Sequence, residues 1–201
     1  MSSTIFLEGG GDPSKELQTR CREGFRKLLE RCGFEGRMPR LSACGGRNST
    51  FEDFQTGLAA KGRHDYVAMM IDSEEAVVDE DAPWSHLKRR DDWDRPADAT
   101  DDQVLLMTTC METWIITDRA ALDSHYGKLL QVSALPPLTE MEQRARDDIQ
   151  DSLIQATRRC SNSYRKGKRS FEILGKLSPE VLDKHLPTFK RARKVLKQRL
   201  R

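Results

Sequence analysis

Val67-Ala68-Met69-Met70-Ile71-Asp72-Ser73-Glu74-Glu75 is an apolar run of strand length that ends abruptly in acids. Near the N-terminus, Ile5-Phe6-Leu7-Glu8 repeats the pattern and runs into Gly9-Gly10-Gly11. In an open parallel sheet, ligands bind outside the C-terminal ends of the strands. Two buried strands that each deliver a carboxylate at that end are a common way to hold a divalent cation.

The chain around these stretches reads as alternating strands and helices. Asp12 and Pro13 form an N-cap and a first helical position. A helix is expected from there to about residue 32, with Leu17, Cys21, Phe25, Leu28, Leu29 and Cys32 at helical spacing and Gly33 as the stop. Arg40 to Cys44 reads as a second strand. Gly45-Gly46-Arg47 then leads to a helix carrying Phe51, Phe54, Leu58 and Ala59, which Gly62 ends. Tyr66 to Ile71 is the third strand. The β-α-β-α-β order with short connections favours a parallel sheet with right-handed crossovers.

Residues 72–103 hold twelve acids against four Lys or Arg, with two prolines. They read as an irregular excursion with one short helix near 84–90. Val104 to Thr109 is the fourth strand, followed at once by a helix containing Met111 to Ile116. A short helix at 119–125 is capped by Asp118, and Leu135 to Leu138 is a turn. A helix from Thr139 to about 158 is expected from the pairing of Thr139 with Glu142. A basic loop at 161–169 and helices at 170–175, 178–184 (Ser178 as cap) and 187–200 complete the chain. The resulting expectation is an α/β, Rossmann-like domain over residues 1–130, with a central, mostly parallel sheet. A basic helical C-terminal region over 131–201 packs on it.

Composition narrows the function. The chain has 201 residues and a net charge of +2. That balance hides an asymmetry: residues 1–157 carry 19 Lys or Arg against 29 Asp or Glu, and residues 158–201 carry 15 against 3. An acidic body with a basic arm suits phosphate-bearing partners, or an arm docked on the body's own acids. No apolar run approaches the roughly 20 residues that span a bilayer, and the start lacks the basic n-region of a signal peptide. The cytoplasm and no membrane partner are therefore expected. Cysteines 21, 32, 44, 110 and 160 are odd in number and widely spaced, without CxxC, so free thiols are expected rather than disulfides or zinc. The four histidines are scattered, which gives no support for zinc or for a Ser-His-Asp arrangement.

The chemistry resides in the acids. Glu8 ends the first strand and Asp72 the third. Asp72 and Glu74 are two residues apart and point the same way in an extended segment. Glu112 lies just past the fourth strand on the same edge. Four carboxylates there repel each other unless a cation neutralises them. Magnesium or manganese suits an all-oxygen set. Ordinary solvated acids at strand ends are the alternative. The two glycine loops open onto helix N-termini that can hold phosphate, and Arg47 can grip a phosphate in bidentate fashion. In the basic loop, Tyr164 offers a ring on which a base can stack, and Arg165, Lys166 and Lys168 offer phosphate contacts.

The sequence resembles the TOPRIM-like superfamily. The features that carry the resemblance are a glutamate closing the first strand before a glycine (Leu7-Glu8-Gly9) and an acid-x-acid motif closing a later strand. Finer features resemble small bacterial defence-associated proteins related to RloB and AriB, and more distantly the nucleases of the overcoming-lysogenisation-defect type. These are Cys110-Met111-Glu112-Thr113-Trp114, then Asp118, Ile173-Leu174 and Leu186-Pro187-x-Phe189. The resemblance implies Glu8 as metal ligand or general base and Asp72 with Glu74 as the metal-binding pair. It further implies Glu112 as an additional acidic ligand and Lys166 as the basic residue near the scissile phosphate. Glu74 departs from the usual aspartate of the pair. The expected function is therefore magnesium-dependent hydrolysis of DNA or RNA in anti-phage defence, with an ATPase partner and a possible homodimer. A non-catalytic TOPRIM-like nucleic-acid-binding or regulatory subunit is the alternative, and a small-molecule phosphotransferase is a third reading.

Overall fold

The computed structural model describes residues 2–10, 14–62 and 65–200. The expected cap at Asp12, the proline at position 13, Gly11 and His64 lie outside them, as does the side chain of Lys168. Four strands, β1 (Ser3–Glu8), β2 (Arg40–Gly45), β3 (Tyr66–Asp72) and β4 (Val104–Met107), form one all-parallel sheet in the order β2-β1-β3-β4. All seven residues of β3 are buried. Side chains alternate across it: Ala68 and Met70 join the core on one face, and Val67, Met69 and Ile71 join the core on the other.

Right-handed crossovers explain which helices cover which face. From β1 the chain moves outward to β2 through α1 (Lys15–Leu29), which packs on the first face. It then crosses back over β1 to β3 through α2 (Arg47–Ala60), which packs on the second face with α3 (Pro83–Asp91). The direction of winding therefore reverses between β1 and β3, and in doubly wound sheets this switch point is where ligands bind.

The described part of the first helix starts at Lys15, with the Ser14 hydroxyl accepting from Leu17 N at 3.3 Å. It passes into a wider turn over Glu30–Phe34, where Gly33 takes a left-handed φ of 87°. The acidic excursion is more ordered than its composition suggests. Trp84 and Trp93 both meet Phe51, the latter stacked at 4.1 Å, and so fix α3 and the loop after it against α2.

Beyond β4 come α4 (Met111–Thr117), α5 (Arg119–Tyr126), α6 (Arg146–Thr157), α7 (Lys168–Leu174), α8 (Pro179–His185) and α9 (Pro187–Arg199). Asp118 caps α5 through Ala121 N at 3.0 Å, and its second oxygen accepts from Ser178 N at 2.7 Å, ahead of α8. One side chain thus ties two helix starts together. The expected helix from Thr139 does not form there. Glu142 is buried and accepts from Thr188 N at 3.1 Å, capping α9 rather than its own segment, and the helix starts only at Arg146.

The helices beyond residue 131 share the core of the first sheet face. Trp114 meets Phe189 edge-on at 5.0 Å, and Phe171 packs onto α1 where Gly24 leaves room. A Cβ on Gly24 would lie 2.6 Å from Phe171 O, so the helix accepts the roughly 1 kcal/mol cost of an interior glycine to let α7 approach. The cysteines are free, as expected, and all but Cys44 are buried.

Candidate metal centre

Glu8 and Asp72 reach the switch point because they are the last residues of adjacent strands. Glu8 Oε2 accepts the backbone N–H of Asp72 at 3.0 Å, so the first acid is held by the strand that carries the second. Asp72 is 4% exposed, and its Oδ1 accepts from Met111 N, the first residue of α4, at 2.8 Å. Beyond β3 the backbone stays tied to β4: Ser73 N donates to Met107 O at 3.0 Å and Glu74 N to Thr109 O at 2.8 Å.

Carboxylate oxygens of Glu8, Asp72 and Glu74 lie within 4.8 Å of one another. The expected trio therefore converges, though not for the reason given by an extended segment. Glu74 has φ = 66°, the left-handed region that non-glycine residues seldom enter. That turn, held by the bond to Thr109 O, brings its side chain back toward Asp72.

The electrostatics follow from burial and crowding. Desolvation, then the neighbouring Glu8 and Glu112 carboxylates, push Asp72 up to about 7. Burial also raises Glu8, opposed chiefly by Arg47. Glu8 and Asp72 thus resist ionisation on their own, and with Glu74 they make an all-oxygen set that fits a hard divalent cation of the magnesium or manganese type.

The fourth acid is placed differently. Glu112 is fully buried, accepts a short hydrogen bond from the Tyr164 hydroxyl and lies 3.5 Å from Gln150 Nε2. It stands beside Asp72 but outside the converging trio. Tyr164 is 5% exposed, so the ring expected to stack on a base is core instead.

Arg47 is also committed inside the protein. Its Nε and NH2 lie 3.0 and 2.6 Å from the two oxygens of Asp91, its NH1 donates to Asp72 O, and its guanidinium sits over Trp93. It stands 3.6 Å from Glu8, as a counter-ion of the site rather than a free phosphate grip.

The glycine loops do not leave an open anion nest at Gly9, because Gly9 and Gly45 exchange backbone hydrogen bonds at 2.9 and 3.0 Å. Their role is close approach. Gly10 has φ = 95°, and a Cβ there would lie 3.0 Å from Gln18 Cα. A cleft of about 280 Å³ opens between these glycines, Glu8, Asp72 and the loop carrying Lys166. Lys166 is exposed and lowers the pKa of both Glu8 and Asp72 electrostatically. Arg165 is exposed as expected.

Two participants have no signal in the sequence. Arg146, the first residue of α6, forms an ion pair with Glu74 and lies 3.9 Å from Asp72. Arg90 lies 4.0 Å from Glu74 and pairs with Asp91. The acids of the cleft thus meet cations supplied by the chain itself.

Among the described residues, no helix is long and apolar enough to cross a membrane. No curated protein and no solved structure matches the chain. Residues 12–197, nearly the whole chain, match the family described as Domain of unknown function (DUF4276). The α/β sheet with its acidic switch point therefore belongs to a member of the DUF4276 family.

Proposed function

We propose that the protein is a metal-dependent nuclease that hydrolyses phosphodiester bonds in DNA or RNA. The observation that carries this reading is the convergence of Glu8, Asp72 and Glu74 at the switch point, with oxygens within 4.8 Å. Those three side chains would hold magnesium or manganese, which supplies charge neutralisation on the phosphate and an acidified water. The chain's own residues do the rest. Burial keeps competing water away from Asp72, and Lys166 at the cleft mouth attracts and orients an anionic backbone. Arg165 and Lys168, on either side of it in sequence, add sequence-independent phosphate attraction. The TOPRIM-like resemblance extends the proposal to an effector of anti-phage defence, acting in the cytoplasm with an ATPase partner.

The test is cleavage of labelled single- and double-stranded DNA and RNA with magnesium, manganese or EDTA. Metal-dependent products should appear and be lost in Glu8→Gln and Asp72→Asn. Equal cleavage by the wild type and both variants would end the enzyme reading. One observation favours the second reading, a non-catalytic nucleic-acid-binding or regulatory subunit: Arg146 and Arg90 already offset the charge of Glu74. That reading predicts salt-sensitive binding of nucleic acid without cleavage in any metal.

A further inference from the structure

Of the three arginines that meet the acids of the cleft, Arg47 and Arg146 are held in opposite ways. Arg47 is 13% exposed and locked by Asp91, Asp72 O and the Trp93 ring. Moving it would take from Asp91, whose side chain is only 9% exposed, one of its two arginine partners. Arg146 is 26% exposed. Among the described residues its charged partners are the Glu74 and Asp72 carboxylates, which are also two of the three side chains assigned to the cation. Its backbone is anchored, since it opens α6 two residues after Arg144, whose carbonyl accepts from the Thr109 hydroxyl at 3.2 Å. Only the side chain needs to move.

A divalent ion at those oxygens and a guanidinium on the same oxygens repel strongly in a site this poorly solvated. We propose that Arg146 is an exchangeable counter-ion and a substrate-binding residue. It holds Glu74 and Asp72 while no metal is bound. It yields those oxygens to the cation and turns its planar fork onto a non-bridging oxygen of the substrate phosphate, the new anion that arrives beside it. Metal loading and phosphate binding are thereby coupled through one side chain. The inference rests on the metal-site reading above and adds a residue and a sequence of events to it.

The experiment is calorimetric titration of manganese into metal-free wild type, Arg146→Gln and Arg146→Lys, with melting temperatures recorded first. Binding of a labelled phosphorothioate DNA strand is then measured in saturating manganese. Arg146→Gln should bind manganese about tenfold more tightly, the equivalent of one charge-assisted hydrogen bond removed from competition. The same variant should bind the strand about tenfold more weakly, with Arg146→Lys recovering part of both. Equal manganese affinity in wild type and Arg146→Gln overturns this inference and leaves the metal site standing. No manganese binding by any of the three proteins overturns the metal site and the inference with it. The wild type gives an independent readout if the glutamine variant does not fold. Adding magnesium should move the arginine Nε–H NMR signal of Arg146 and leave that of Arg47; an unmoved Arg146 signal also overturns the inference.

Discussion

The hydroxyl of Tyr164 donates to the carboxylate of Glu112, and neither group has access to bulk water. Glu112 is the second residue of α4 and Tyr164 lies in the basic loop, so this bond fastens the loop that carries Lys166 above the cleft. Tyr164→Phe keeps the ring and removes the donor. It leaves a buried carboxylate with only the long contact to Gln150, which should cost about 1–3 kcal/mol. Urea unfolding should show the loss, and amide exchange should speed up over residues 161–167. An unchanged midpoint together with unchanged exchange would mean the bond does not hold the loop.

The two arginines expected to meet phosphate should behave differently. Arg47→Ala leaves the Asp91 carboxylate with Arg90 as its remaining partner and uncovers the Trp93 face. It should destabilise the protein by roughly 3 kcal/mol, as breaking a buried pair does. Arg165 is exposed, so Arg165→Ala should leave stability within about 0.5 kcal/mol. If the basic loop meets a polynucleotide, the same change lowers the salt slope of binding by about one. Thermal melts and binding at several salt concentrations give both numbers. A stable Arg47→Ala protein would remove the structural role assigned to Arg47.

Glu142 gives the native state a pH dependence of unusual sign. Burial pushes its carboxyl up to about 7, even though Thr188 donates to it from both its backbone and its hydroxyl. An unfolded glutamate titrates near 4.3. Between those values the native state binds more protons than the unfolded state, so stability falls as pH rises. The contribution is complete above pH 7 and amounts to roughly 4 kcal/mol. Glu142→Gln should therefore gain on the wild type by about that amount between pH 4.5 and 7.5. The difference between the two denaturation profiles isolates this group; parallel profiles would contradict the assignment.

The strand ends were legible in the sequence because burial and chain direction are local signals there. An uncharged run closed by an acid or a glycine marks both Glu8 and Asp72, and the parallel order brings the two together. Glu74 joins the trio for a reason other than an extended segment, since its left-handed backbone is held by a hydrogen bond to Thr109 O, two residues beyond β4. Thr139 and Glu142 had the spacing of a local cap, but the buried N-terminus of α9 offered Glu142 a better partner. Tyr164 and Arg47 looked like surface contacts because nothing in their neighbourhood announces Glu112 or Asp91. Arg146 was invisible for the same reason: its meaning depends on residues more than seventy positions away.

One further contact bears on how copies of the chain can associate. Arg191, from α9, donates to Val104 O at 2.9 Å and to Asp101 O at 2.9 Å, on the outer margin of β4. A guanidinium thus stoppers that side of the sheet, where an unpaired carbonyl would otherwise invite another strand. The opposite margin, β2, has no such plug among the described residues. Growth of the sheet across a twofold axis is therefore one-sided: an added strand would lie along Arg40 to Gly45, beside Cys44, separated from Asp72 by the width of β1 and β2.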